Sequence, residues 1–378
     1  MLVYNTPRPA GERFFRYGGL KRLVKLQGYS FLQKIVRKKI RKNKNLFSFP
    51  FLIGTDVSRH PMVMAADVIY LHWINGGFLS LGNLRQLASL GKPIVVFMHD
   101  MWAITGGCHH SFECEGYKSV CEYCPMYGGR AKSTYASFEF RKKRDLFSRF
   151  DNFHFVAPSE WLADCARESS VISKRRIYCI PNVVNEAVFK PFDKNVAKRI
   201  LNIDPEVKTI SFGCVAGVNN PIKGWDFLKQ ALAKIRLEQP DLKIQILIFG
   251  SERESGVEES VPYPVRFLGQ INDEASMVVL DNATDLFVSP SLAESFGMTA
   301  MENIMCGTPV VVFRVGGSVD FVKHKANGYL ANYRSADDLA EGIVYCLRNQ
   351  LPNLLDERFR TGEIIRMHEA LISEMFRS

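Results

Sequence analysis

Glu294 and Glu302 stand eight positions apart in the run Pro290–Val311, PSLAESFGMTAMENIMCGTPVV, with Ser-Phe-Gly-Met between them. The part MTAMENIMCG reads as a short helix stopped by Gly307 and Pro309. Glu294 then belongs to a loop and Glu302 to the first turns of the helix that follows. At such a helix start the amides of Phe296, Gly297, Met298 and Thr299 would be unbonded, and free amides together with the helix dipole bind phosphate. Gly297 would let the backbone approach a ligand closely. Carboxylates on either side of a diphosphate can accept hydrogen bonds from hydroxyls at its two ends. The ligand implied is a sugar joined through a diphosphate to a nucleoside.

Further upstream, Lys223 in PIKGWDFLKQAL follows a strand and loop and precedes a helix. A helix start disfavours a lysine, so its natural use there is to stabilise charge growing on a leaving group. His99 ends PIVVFMHD at a strand's carboxyl end, where a histidine can act in chemistry. His72, in LHW, is a weaker companion on the acceptor side. Asp100 could orient His99 or cap the segment after it.

These residues must be held by a sheet. DVIYLHW, PIVVFMHD, NFHFVAPS and RIYCIPN read as buried strands separated by longer polar stretches, a parallel α/β pattern. PNVVNEAVFKPFDKN interrupts it, and the pattern restarts through TISFGCVAG, KIQILIFG, VRFLG, DLFVSP and PVVVF. Two doubly wound domains are expected, over 1–182 and 183–355, with a helix in 356–378. A chain of 378 residues suits two cores better than one. Sites in such sheets form outside the carboxyl ends of the strands. Neither half has G-x-G-x-x-G after a strand, which argues against a dinucleotide oxidoreductase.

No apolar run reaches the ~18 residues of a membrane span, and the first residues lack the order of a signal peptide. A cytoplasmic protein is expected, and the nine cysteines suit a reducing compartment. The net charge of +10 is local. From Arg8 to Lys44 there are 13 Lys and Arg against one acid, Glu12, whereas the rest of the chain holds 36 basic and 38 acidic residues. Apolar residues recur there at helical spacing among the lysines and arginines. Such an element suits an anionic membrane surface, and equally a solvated helix packed on its own domain. No nucleic-acid motif accompanies the charge.

Cys108, Cys114, Cys121 and Cys124 give C-x5-C-x6-C-x2-C. Four thiolates suit a structural zinc, and the final C-x2-C is a usual knuckle spacing. Reduced thiols holding a loop by packing would give the same spacing.

The run from DLFVSP to NGYLA resembles the donor site of the retaining GT-B glycosyltransferases of family 4, with their Glu-x7-Glu motif. PIKGWDFLKQAL, VAPSEWLA and IPNVVNEAVF are similar to other parts of that family. LHWINGGF and MHDMWAITGGCHHSFECEGYKSVCEYCP resemble a bacterial branch that assembles capsule, exopolysaccharide or lipopolysaccharide. The likeness runs from about residue 64 onward. It implies two Rossmann-like domains with an interdomain cleft, and a final helix crossing back to the first domain. It implies that Glu294 contacts the donor sugar, Glu302 the ribose and Lys223 the departing diphosphate, with His99 near the reacting sugar. The donor would be UDP- or GDP-linked, the acceptor a saccharide carried on lipid, and no metal would be needed for catalysis. Two departures stand out. The family has an Arg shortly before the Lys, where this chain has Asn219 and Asn220. The family's first β-α unit appears absent, since MLVYNTP looks like its second strand. A non-catalytic relative binding nucleotide sugar or a partner enzyme is the other reading of those departures.

Overall fold

The computed structural model describes residues 53–132, 134–215 and 217–377, and before them 2–3, 15–16, 27–31, 33–35, 38, 40 and 46–48. The chain divides into two compact units. One comprises Met1–Pro158, Leu162–Cys179 and Met375–Ser378, the other Ser159–Trp161 and Ile180–Glu374. The division expected after residue 182 thus falls between Cys179 and Ile180.

In the first unit, β1 (Leu2–Val3) and β2 (Phe15–Arg16) pair in parallel. A separate parallel sheet runs β3 (Ile69–His72), β4 (Ile94–Phe97), β5 (Phe153–Ala157) and β6 (Ile177–Cys179), in that spatial order. All four residues of β4 are buried, as a strand covered on both faces requires. Helix α1 (Pro61–Ala65) precedes β3, and between the strands lie α2 (Leu81–Ala88), α3 (Tyr135–Arg149) and, after β5, α4 (Glu160–Glu168). Ser80 and Thr134 each open their helix with a capping box. Phe147 of α3 meets Phe153 and Phe155 of β5 edge-on, each at 5.0 Å.

The second unit begins with α5 (Lys194–Ile200), followed by β7 (Lys208–Gly213), α6 (Trp225–Glu238), β8 (Ile244–Phe249) and β9 (Val265–Phe267). The chain then crosses through α7 (Glu274–Ala283) to β10 (Leu286–Ser289), α8 (Met298–Met305), β11 (Val310–Phe313) and β12 (Gly328–Ala331). Helix α9 (Ala336–Arg348) and all of α10 (Thr361–Met375) but its last residue complete it. The parallel strands lie in the order β12-β11-β10-β7-β8-β9. The chain therefore winds outward from β7 in one direction and from β10 in the other, so the switch point lies between those two strands. Apolar cores cover both faces. Ile210, Phe212, Leu228, Ile246 and Val288 belong to one, and Leu247, Phe287, Ile304, Val310 and Val312 to the other. Among the described residues, no helix is long and apolar enough to cross a membrane.

Candidate functional site

The loops after β7 and β10 meet at the switch point of the second unit. Lys223 ends the β7 loop, and its Nζ lies 3.8 Å from Oε2 of Glu294 in the β10 loop. Two interlocks fix this meeting. The amide of Leu292 donates to the carbonyl of Ile222 at 2.7 Å. Gly224, the residue that opens α6, has φ +70°, and a Cβ there would stand 1.9 Å from the carbonyl oxygen of Pro290. Only glycine satisfies both the left-handed backbone and that approach, which explains the Lys-Gly pair.

Asn219 and Asn220 shape the loop that delivers Lys223. The Asn220 side chain accepts from the Ile222 amide at 3.1 Å and donates to the Val215 carbonyl at 3.1 Å, while its carbonyl accepts from the Lys223 amide at 2.9 Å. Asn219 donates to Glu254 Oε2 at 3.2 Å, and Glu254 Oε1 accepts from the Val218 amide at 2.8 Å and from Ser251 at 2.9 Å. The neutral residues that replace the resembled family's Arg are therefore turn-forming groups, braced by a carboxylate that local pattern could not reveal.

Helix α8 opens at Gly297, φ +100°, with no side-chain cap. The amides of Phe296, Gly297, Met298 and Thr299 donate no hydrogen bond among the described residues, and Glu294 and Glu302 lie on either side of them in sequence. The sequence assigned Gly297 to close ligand approach. The structure gives it a nearer reason, since a Cβ would stand 2.4 Å from Ser318 Oγ at a left-handed residue. The ring of Phe296 is core, 5.4 Å from that of Phe321, so only its backbone is available to a ligand. Met298 is exposed and Thr299 half-buried. The carbonyl of Glu294 accepts from the Gly317 amide at 2.9 Å, which fixes the loop's height over the sheet.

Glu302 is half-buried on α8, and burial followed by the like charge of Glu274 pushes its carboxyl up to about 7. Asp281 of α7, which the sequence reading did not single out, is fully buried in its neighbourhood. Its Oδ1 accepts from Asn303 at 3.0 Å and its Oδ2 has no hydrogen-bond partner among the described residues. Burial first, then Glu302, raises its carboxyl well above the usual range.

In the first unit His72 ends β3 and His99 follows β4, and His72 Nδ1 lies 2.9 Å from His99 Nε2. Such a pair shares one proton, because a second would place two donors face to face. Crowding by its surroundings lowers the pKa of His99, with Asp100 opposing. The Phe97 ring stands 5.0 Å away. Of the two roles open to Asp100, the structure gives it the cap. Its Oδ1 accepts from the Trp102 amide at 2.7 Å and its Oδ2 meets His109 Nδ1 at 2.5 Å. Burial alone would raise the Asp100 carboxyl, and these hydrogen bonds outweigh it and hold it below the ordinary range. His109 Nε2 lies 2.8 Å from Ser48 Oγ, so both its nitrogens are engaged. The segment after Asp100 is anchored from below by Lys143 of α3, fully buried, which donates to the carbonyls of Trp102 at 2.5 Å and Thr105 at 3.1 Å.

All nine cysteines are free. Cys121 and Cys124 are buried, while Cys108 and Cys114 are half-buried. Burial, reinforced by the neighbouring thiols, pushes Cys108 up to about 12 and raises Cys121 as well. The donor types suit zinc. Among the described residues, however, no three His, Cys, Asp or Glu side chains are arranged to hold a metal ion.

Residues 209–349 match the family described as glycosyl transferases group 1. The chain is similar to the D-inositol 3-phosphate glycosyltransferase of Segniliparus rotundus, 31% identical over 167 residues, covering 42% of this chain and 36% of the relative. An uncharacterized glycosyltransferase of Methanocaldococcus jannaschii is 33% identical over 151 residues, covering 39% of this chain and 37% of the relative. The chain spans between 36% and 41% of the length of such curated relatives. Among solved structures, the sucrose-phosphate synthase of Thermosynechococcus elongatus is similar with a TM-score of 0.63 at 16% identity, covering all of this chain (100%) and 89% of that one. The Anabaena protein HepE, solved with UDP and glucose, is similar with a TM-score of 0.56 at 17% identity, covering 97% and 86%. With two parallel-sheet α/β units and these neighbours, the fold is that of the GT-B class.

Proposed function

We propose that the chain is a retaining glycosyltransferase of the hexosyl-transferring kind, taking its sugar from a UDP- or GDP-linked donor held by the second unit. The observation that carries this is the meeting of Lys223 and Glu294, 3.8 Å apart at the switch point, beside a helix start whose first amides are unbonded among the described residues. Anion-binding amides, a cation and a hydroxyl acceptor are the three groups a sugar diphosphate needs. The match over 209–349 and the UDP and glucose of the HepE structure support the same reading.

In the reaction proposed, the bond between the sugar's anomeric carbon and the diphosphate oxygen breaks. The acceptor oxygen bonds to the same face of that carbon, and its proton passes to the leaving phosphate oxygen. Lys223 and the α8 amides hold the charge that grows there. Glu294 positions the sugar and Glu302 the ribose. No glutamate acts as nucleophile, unlike the paired carboxylates of retaining glycosidases, and no divalent metal is required. His99 acts near the reacting sugar, and His72 serves the acceptor side.

The acceptor is a saccharide carried on lipid, met at the inner face of the cytoplasmic membrane during synthesis of a bacterial surface polysaccharide. A soluble polyol phosphate is the second reading, favoured by the acceptor named in the curated relatives. A structural zinc on Cys108, Cys114, Cys121 and Cys124 would require the thiols to close together. About one zinc per chain, lost on Cys121→Ser with Cys124→Ser, would establish it, and a folded metal-free protein would leave them as packing groups.

Calorimetric titration with UDP, GDP, ADP and CMP tests the donor site. One nucleotide should bind selectively, and Lys223→Ala should weaken it about tenfold to a hundredfold, the worth of a hydrogen bond to a charged group. A folded protein that binds none of them would instead favour the non-catalytic relative.

A further inference from the structure

The described residues of the basic segment from 27 to 38 have two faces. Residues 27–31 and 33–35 are helical, and the amide of Lys38 donates to the carbonyl of Lys34 at 3.2 Å one turn later. At about 100° per residue, Tyr29 and Gln33 fall on one side, and Phe31, Lys34, Ile35 and Lys38 on the other.

The inner side is built against its own unit. Gln33 is buried and donates to the Tyr29 hydroxyl at 2.6 Å. The Tyr29 ring packs so near Gly77 that a Cβ there would lie 3.0 Å from it, and one on Gly28 would lie 3.4 Å from Ile53. Ile40 beyond the helix is buried as well. The outer side does the opposite of what a solvated face does. Phe31 is 64% and Ile35 44% exposed, one turn apart, with exposed Lys34 and Lys38 between and after them.

We propose that this outer face docks the chain on an anionic phospholipid surface. Phe31 and Ile35 enter at headgroup depth, and Lys34 and Lys38 lie among the lipid phosphates with their stems along the interface. Charge complementarity selects this partner, because no acidic residue occurs between Glu12 and Asp56. The same excess of positive charge repels a second copy of the chain. A nucleic-acid backbone offers Ile35 nothing to bury against. The inference rests on the proposed reading only in making this surface the place where a lipid-carried acceptor is met.

Flotation with vesicles tests it, using phosphatidylcholine alone and phosphatidylcholine mixed with phosphatidylglycerol, at low and high salt. The chain should float only with the anionic vesicles and be released by salt. Lys34→Glu with Lys38→Glu should cut partitioning about twentyfold or more, at roughly fivefold for each lysine lost. Phe31→Ser with Ile35→Ser should cut it at least about tenfold. Unchanged circular dichroism and nucleotide titration in both variants would certify their folds and keep this result separate from the donor-site reading. Absence of flotation, or equal flotation of wild type and both variants, overturns the proposal. So does salt-sensitive RNA retention without vesicle binding, or a dimer that Phe31→Ser with Ile35→Ser dissolves.

Discussion

Lys223 and Glu294 are each about a quarter exposed (27%), so their ion pair is a resting contact of small worth. Its value lies in pre-placing two groups that a donor would separate. Glu294→Gln should lower turnover about a hundredfold, with nucleotide affinity nearly unchanged, because the lost contact is to the sugar. Initial rates combined with titration of the free nucleotide check this. Glu302 has a different signature. Its carboxyl titrates at about 7, and only the ionised form is a full acceptor for ribose hydroxyls. Donor binding should therefore tighten as pH rises through 7 and lose that slope in Glu302→Gln. Stability runs the other way. Glu302 holds its proton in the folded chain at pH values where the unfolded chain has released it, so its contribution to folding grows as pH falls from 8 toward 6, and the raised carboxyl of Asp281 acts in the same sense. Thermal melts across that range check the sign. Of the groups visible in the sequence, Glu294, Lys223 and His99 sit in the segments that follow strands, and Glu302 sits on the helix that Gly297 opens. Asp281 and Glu254 were hidden because they reach the site from other elements, and Lys143 because a lysine in a helix reads as a surface residue until a fold buries it.

At the scale of elements, the strands were legible where both faces are covered. The runs IVVF, IQILIF and VVVF became β4, β8 and β11 because a sheet buried on both sides needs unbroken apolar residues. The strand GYLA, β12, was missed, since a leading glycine and four residues carry little pattern. The amino ends of β7 and β10 are tied by Asp285. Its Oδ2 accepts from the Thr209 amide at 2.9 Å and pairs with buried Lys198 at 2.8 Å. Burial would raise this carboxyl, but Lys194, Lys198 and Thr209 hold it below the ordinary range. The stabilisation is thus present above the unfolded pKa and is lost as pH falls through the folded one. Asp285→Asn leaves Lys198 buried without its partner and should cost about 3 kcal/mol by denaturant titration at neutral pH. The tie lies at the opposite end of the strands from Lys223, so activity per folded molecule should hold.

At the scale of the molecule, each unit has its own parallel sheet, and the cores on both faces of the second belong to that unit alone. Calorimetry should resolve two unfolding transitions, of which the selected nucleotide raises one. A single transition moving as a whole would instead mean that the two units unfold together. The two-domain division was legible because the strand pattern stops and restarts. The assignment of residues 159–161 to the second unit was not, since contacts between distant segments leave no periodic trace.

The interlock at Gly224 bears on how such a fold can be altered. With Gly224 seated on the Pro290 carbonyl and Leu292 bonded to Ile222, the segments 217–224 and 290–297 form one part rather than two. Neither can be exchanged for a foreign loop alone, whether by recombination in nature or by grafting in the laboratory. A chimera would have to inherit both stretches from one parent, across the 65 residues that separate them in the gene.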